Sequence, residues 1–229
     1  MNAGGMRTAG DAVCSGFTLA LKNKAWRLRP LLRIAAAIAM VLGLVACAGQ
    51  RVKPVTADAQ LLSRQLLRER ALAAHPDWTL HARLGVSDGH DSGSGSLEWS
   101  QHADKFHFSV HAPVTGKAWI LSGDRSHAVL EGLLEQPVEG DGATALLERE
   151  LGWHVPVAEL VDWVRGVRAP GAAEIRFRAD GLPGQIDQAG WKVEYLDYDQ
   201  SRDPPLPSKV FASKGNYKVR LAIHAWTLE

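Results

Sequence analysis

From Trp78 onward the apolar positions recur at every second residue. Trp78, Leu80, Ala82, Leu84 and Val86 alternate with Thr79, His81, Arg83 and Gly85, the period of a strand with one face buried. Leu97 and Trp99 alternate with Glu98 and Ser100, and Phe106, Phe108 and Val110 with Lys105, His107, Ser109 and His111. "KAWILSG" and "SHAVLEG" read as two more short strands. Between them, "SDGHDSGSGS" (Ser87 to Ser96) reads as a flexible polar loop and "APVTG" (Ala112 to Gly116) as a turn. Links this short leave no room for crossover helices, so the strands form an antiparallel meander. The same period returns at Ile175, Phe177 and Ala179, at Trp191, Val193 and Tyr195, at Val210-Phe211, and from Tyr217 through Val219, Leu221, Ile223 and Ala225. "GLPGQ" (Gly181 to Gln185) reads as a turn, and Pro204, Pro205 and Pro207 mark an extended edge.

Three stretches break this rhythm with a helical period. Thr56 or Asp58 is placed to cap a helix running to about Ala74. Leu62 and Leu66 lie one turn apart in it, with Leu61, Leu67 and Leu72 nearby and Arg64, Arg68, Glu69 and Arg70 at polar positions. His75-Pro76 ends it. A second helix spans Gly142 to Leu151 and stops at Gly152. A third runs from Pro156, suited to a first turn, to Gly166, with Leu160, Trp163 and Val164 on one side. The domain is therefore mainly β, an antiparallel sheet of about nine to eleven strands with a few helices. One sheet face is apolar throughout and must be covered, and the helices cover only part of it. Seven of the eight tryptophans fall in this region. Large aromatics on one face of a curved sheet make an apolar concavity, although alternation alone fits an ordinary core under helices equally well.

The segment before the domain follows a different plan. "KNKAWRLRPLLR" (Lys22 to Arg33) is cationic, and "IAAAIAMVLGLV" (Ile34 to Val45) is an uncharged apolar run of twelve residues. A bilayer span takes about 20 residues, whereas a secretory leader has an apolar region of this size. Leu44-Val45-Ala46-Cys47 then reads as a lipobox, with an aliphatic residue three positions before the cysteine and a small one immediately before it. The Cys47 thiol is the group that would carry diacylglycerol in thioether linkage. Two other readings of Cys47 are a buried free thiol in a transmembrane anchor and a pair with Cys14, which would be cut away with the leader. On the lipobox reading, residues 1–46 are a signal peptide, 47–55 a lipidated tether and 56–229 the folded domain. The first twenty residues are long and mixed in polarity for a leader, which leaves open a translation start downstream of Met1.

Charge changes the picture once this leader is set aside. Residues 1–46 hold six of the 26 basic residues and one of the 25 acidic ones, so 47–229 carries 20 against 24, a formal charge of −4. A mildly acidic domain is poorly suited to nucleic acid, whose phosphates require clustered Lys and Arg. Catalytic signatures are weak. Gly93-Ser94-Gly95 lacks the spacing of a nucleophile elbow, and neither a phosphate-cradling glycine loop nor a His-Glu-x-x-His pair occurs. His107 and His111 share a strand face but lie about 13 Å apart at 3.3 Å per residue, too far for one metal. His90 with Asp88 and Asp91 is more simply turn chemistry than a divalent-ion site. The residues thus call for no cofactor and no metal, and point away from an enzyme.

Several pieces together resemble the outer-membrane lipoprotein LolB family. They are "WTLHARLGV", "FHFSVHAPVTGKAWIL", "LGWHVPVAELVDWVRG", "WKVEYLDY", "LPSKVF" and "YKVRLAIHAWTL". The resemblance runs from about Trp78 to Trp226, and Leu-Gly-x-x-x-Pro followed by Trp-x-x-Gly (Leu151 to Gly166) is its most specific part. It implies a half-open antiparallel β-barrel with helices forming a lid over an apolar cavity. It also implies a monomeric receptor, anchored in the outer membrane and facing the periplasm, that accepts acylated lipoproteins from the periplasmic carrier LolA and inserts them into the inner leaflet. Ala48 after the cysteine, in place of Asp, implies sorting to the outer membrane. Val114 matches the apolar residue that the family inserts into the phospholipid, in a loop one residue longer and with a smaller side chain than the usual Leu. The acyl-chain cavity is expected to include Trp78, Leu80, Trp99, Phe106, Phe108 and Trp119, lidded by Leu160, Trp163 and Val164. Three rivals are a soluble carrier of the LolA type, a lipidated envelope scaffold that docks through its sheet edge, and a lipid-modifying enzyme, which would need convergent polar groups in the pocket.

Overall fold

The computed structural model describes residues 55–56, 58–112 and 116–229. The expected leader 1–46, Cys47, Ala48 and Val114 lie outside the described residues. Twelve strands form one sheet in the order β1-β8-β9-β10-β11-β12-β2-β3-β4-β5-β6-β7. The long strands are β2 (Trp78–Ser87), β3 (Ser92–His102), β4 (Lys105–Ala112), β5 (Lys117–Gly123), β10 (Trp191–Asp199), β11 (Leu206–Lys214) and β12 (Tyr217–Leu228). The shorter ones are β6 (Ala128–Glu131), β7 (Val138–Gly140), β8 (Ala173–Phe177) and β9 (Pro183–Gln188). β1 is the pair Val55–Thr56, at the end of the expected tether, bonded to β8. Every pairing is antiparallel, and β1 and β7 lie at opposite ends of the order, so the sheet is a half-open barrel.

Two meanders make this sheet, β2 to β7 and β8 to β12, and they join where β12 pairs with β2 over its whole length. The connection from β7 to β8 must then travel from one edge of the sheet to the other. It carries two of the three helices among the described residues, α2 (Ala143–Leu151) and α3 (Val157–Trp163). An amphipathic segment forced across an apolar concave face buries its own apolar stripe there, which makes these helices the cover. Ala143, Leu146, Leu147, Val157, Leu160 and Trp163 are their buried residues. Gly152 closes α2 with φ 68°, a left-handed cap that glycine adopts without strain.

Helix α1 (Ala59–Ala73) begins on Asp58, whose Oδ1 accepts from the Leu61 amide at 2.7 Å. Its buried stripe differs from the leucine pattern expected. Leu61, Gln65, Arg68 and Leu72 face inward, while Leu66 and Leu67 are 46% and 63% exposed. The reason is what α1 meets. Gly166 just past α3 presents a carbonyl that accepts from Gln65 Nε2 and Arg68 Nη1, both at 2.9 Å, and Arg68 Nη2 donates to the Arg165 and Pro205 carbonyls at 2.7 and 2.8 Å. Leucine at 68 would strip the Arg165 and Pro205 carbonyls of this donor, and leucine at 65 would take one of the two donors from Gly166. Glu69 adds a two-pronged pair with Arg168, Nε to Oε1 at 2.8 Å and Nη2 to Oε2 at 2.7 Å.

Two other sequence readings are corrected. Most of the stretch expected as a loop is strand, since β3 begins at Ser92 and only Asp88–Asp91 turns. Ser-Gly-Ser-Gly-Ser alternates as strictly as any strand, with small residues on both faces. "GLPGQ" is likewise only half turn, because β9 starts at Pro183, the strand position where a missing N–H costs least. In the Asp88–Asp91 turn, Asp88 Oδ1 accepts from the His90 and Asp91 amides at 2.8 and 2.7 Å, the Asx turn expected of it.

Burial pushes the Glu69 carboxyl up, but the hydrogen bonds from Arg168 and Gln65 outweigh it and hold the pKa below its ordinary value. A folded-state pKa below the unfolded one gives stability that is whole above the ordinary carboxylate range and is lost as pH falls through the folded value. Glu69→Gln should therefore cost about 1–2 kcal/mol at pH 7. In urea unfolding followed by circular dichroism, the gap from wild type should close as the pH is lowered below that range.

Candidate functional site

The concave face is built from cross-strand rows. Val86 opposes Val219 and Gly93, Leu84 opposes Leu221 and Gly95, and Leu80 opposes Trp226 and Trp99. The rows continue as Trp99 opposite Phe108, Phe108 opposite Leu121, and Val110 opposite Leu97 and Trp119. Directly opposed side chains on one face lie within contact distance, so each row is a line of apolar packing. Trp99 meets Phe108 edge-on with ring centroids 4.5 Å apart and tilts against Trp78 at 4.9 Å, and Trp78 packs on Trp226 at 5.4 Å.

Between this wall and the helices lies a narrow gap of about 60 Å³. Its lining is wholly apolar, with Trp99, Phe108, Trp119 and Leu121 from the sheet and Leu147, Trp153, Val155 and Leu160 from the cover. At about 30 Å³ per water in the liquid, the gap equals roughly two water volumes. A long alkyl chain therefore enters only if the cover moves. A second space of about 380 Å³ opens at the end of the barrel where β2 meets β3, and it shares Leu84, Val86, Val110, Trp119 and Trp153 with the gap.

Of the residues expected to line a cavity, Trp99, Phe108, Trp119 and Leu160 meet at this gap. Leu80, Trp163 and Val164 are fully buried in the packed core. Trp163 is fixed there by its indole N–H, which donates to Gln188 Oε1 at 2.9 Å, and by its carbonyl, which accepts from the Tyr195 hydroxyl at 2.9 Å. Trp78 and Phe106 border a different cavity at the opposite end, about 530 Å³, with Asp104, Asp124, Asp162 and Arg165 in its wall. Burial raises the Asp162 pKa, with Arg165 and Arg125 opposing the shift. That polar cleft is a poor host for a hydrocarbon chain. Among the described residues, no cluster of three or more His, Cys, Asp or Glu is arranged to hold a metal ion.

Sequence reasoning missed Leu84, Leu121, Trp153 and the two glycines of β3. Leu84 was recoverable, since it shares parity with Trp78 and Leu80. The glycines were hidden because they contribute by lacking a side chain. A Cβ on Gly95 would sit 2.6 Å from the His111 carbonyl oxygen, and one on Gly93 only 3.8 Å from the Trp153 ring.

The chain is thus a half-open antiparallel barrel whose apolar concave wall is roofed by two helices. The profile of the family described as Outer membrane lipoprotein LolB matches residues 76–226. The outer-membrane lipoprotein LolB of Xanthomonas campestris pv. campestris is 38% identical over 167 residues, covering 70% of this chain and 77% of that protein. That of Xylella fastidiosa is 36% identical over 176 residues, covering 76% and 81%. A solved LolA superfamily protein from Nitrosomonas europaea overlays 73% of this chain and 93% of its own, with a TM-score of 0.47 and 8% identity, a likeness of outline only. The chain belongs to the outer-membrane lipoprotein LolB family.

The two glycines should separate cleanly on substitution. Gly95→Ala drives a methyl into backbone and should cost about 1–3 kcal/mol. Gly93→Ala meets only ordinary contact and should stay within about 1 kcal/mol of wild type. Midpoints of urea unfolding measure both.

Proposed function

We propose that the protein is a lipoprotein receptor of the outer membrane, which takes acylated lipoproteins from the periplasmic carrier LolA and places them in the inner leaflet. The observation that carries this reading, beside family membership, is the wholly apolar gap between sheet and cover with a larger apolar mouth beside it. Each buried CH₂ is worth about 0.8 kcal/mol, so a sixteen-carbon chain left in water costs on the order of 12 kcal/mol. Such chains travel between membranes only inside a shelter.

In this reading, residues 1–46 are removed as a signal peptide, Cys47 carries the anchor, Ala48 leaves the protein free to reach the outer membrane, and 47–55 tethers the domain at 56–229. Val114 is the apolar contact with phospholipid. Trp99, Phe108, Trp119 and Leu160 form the chain-binding wall, which Trp78, Leu80, Phe106, Trp163 and Val164 support from behind or at the far end. The protein acts as a monomer and needs no cofactor. Transfer runs downhill by relative affinity from carrier to receptor to bilayer. An apolar wall of few directional contacts suits that task, since the chains must also leave.

The near-filled interior favours a second reading, a lipidated scaffold whose core is simply a core. One experiment separates the two. A photoreactive benzoylphenylalanine replaces Phe108 or Leu160, which face the gap, or His107, which faces outward. The receptor is then mixed with carrier loaded with an acylated lipoprotein and irradiated. Crosslinks to the lipoprotein are expected at 108 and 160, with about tenfold less at 107. Equal or absent crosslinking, together with normal lipoprotein sorting in cells depleted of this protein, would leave the scaffold standing.

A further inference from the structure

The mouth cavity owes its volume to β3. Its inward positions next to Val86 and Leu84 are Gly93 and Gly95, so a row that elsewhere carries Leu97 and Trp99 carries no side chains here. The hole so left, about 380 Å³, lies in the range of natural ligand pockets. It runs into the inner gap through shared residues. Five side chains border both spaces, Leu84, Val86, Val110, Trp119 and Trp153, and of these Trp153 alone comes from the helical cover.

Trp153 lies in the connector between α2 and α3 and is only half-buried. Its ring sits 6.2 Å from that of Trp119 on β5 and close over Gly93 on β3. His154 beside it packs edge-on against Tyr217 at the start of β12, at 4.8 Å. The connector thus spans the mouth from β5 to β12. Its hydrogen bonds, however, stay within its own segment. The Trp153 amide donates to the Leu147 carbonyl at 3.3 Å, and the Val157 amide to the Val155 carbonyl at 2.9 Å and to Thr144 Oγ1 at 3.2 Å. Among the described residues, none of these bonds ties the connector to a strand. Swinging Trp153 aside therefore breaks aromatic and apolar contacts and leaves the sheet ladder whole.

We propose that this mouth is the port through which an acyl chain passes, and that Trp153 is its plug, the residue that sets how fast chains enter and leave. The proposal rests on the receptor reading above and adds the route and the residue. Glycine at 93 keeps the threshold low enough for a chain to lie between the strand and the ring. Trp153 closes the dry gap against water when no chain is present.

The test uses the full mature chain carrying Cys47→Ala, which removes the thiol proposed to carry the lipid and keeps every other residue. Uptake and release of dansyl-aminoundecanoic acid are followed by stopped-flow fluorescence. Trp153→Ala should take up and release the probe about tenfold faster, the scale of losing one aromatic pair. Gly93→Val, which fills the threshold with a strand-favouring residue, should slow both by about the same factor. Thermal unfolding shows that each variant is folded; should Trp153→Ala fail there, Trp153→Phe is expected to give a smaller acceleration. Opposite signs from two residues facing each other across one opening are the signature of a port. Unchanged rates in both, or slowing in both, overturn the port while a wild-type protein that binds the probe keeps the receptor reading. A wild type that takes up no probe overturns both.

Discussion

The pairing of β12 with β2 is the constraint on which everything else depends. It welds two meanders into one sheet and brings Val219, Leu221 and Trp226 into the same inward rows as Val86, Leu84 and Leu80. It also leaves β7 and β8 far apart, so the chain between them has to recross the concave face. The cover is thus a consequence of strand order. A one-sided apolar sheet of this size cannot face water, and among the described residues the segment that topology already sends across its hollow supplies the cover.

The helix α1 and the cover are held by different physics. α1 is secured by polar contacts, with Gln65 and Arg68 on the Gly166 carbonyl and Glu69 clamped by Arg168. Those bonds are directional and hold the helix in one position. α2 and the start of α3 rest on the wall through apolar contacts, which are non-directional and tolerate sliding, whereas the end of α3 is pinned at Trp163. A receptor of the kind proposed above, which would hold fatty chains and then surrender them, would benefit from this division, a fixed frame on one side and a yielding roof on the other. The fixed side reaches deep into the core, where Gln188 binds both Trp163 and the Ala169 backbone.

Much of the fold was legible as period two, because Cβ atoms alternate across a strand whatever its neighbours are. The long strands, the three helices, the Asp58 cap and the Gly152 stop all follow from local chemistry. The failures have a common cause. Gln65 and Arg68 are buried because carbonyls from residues about a hundred positions away meet them. Gly93 and Gly95 belong to a strand because Val86 and Leu84 of β2 pair with them, although their composition reads as loop. Pro183 opens a strand because β8 and β10 sit on either side of β9.

The sequence by itself determined that an antiparallel sheet with one greasy face exists, which residues share that face, and the family to which the chain belongs, since each rests on local periodicity or on short motifs. Tertiary structure alone decided where along that face a hollow remains. Trp99 and Phe108 line it while Trp78 and Leu80, of the same parity, do not, because only strand order and the path of the α2–α3 segment fix which part of the wall is roofed. It also decided that two glycines and Trp153 shape the opening, since an absent side chain acquires meaning only from what stands opposite.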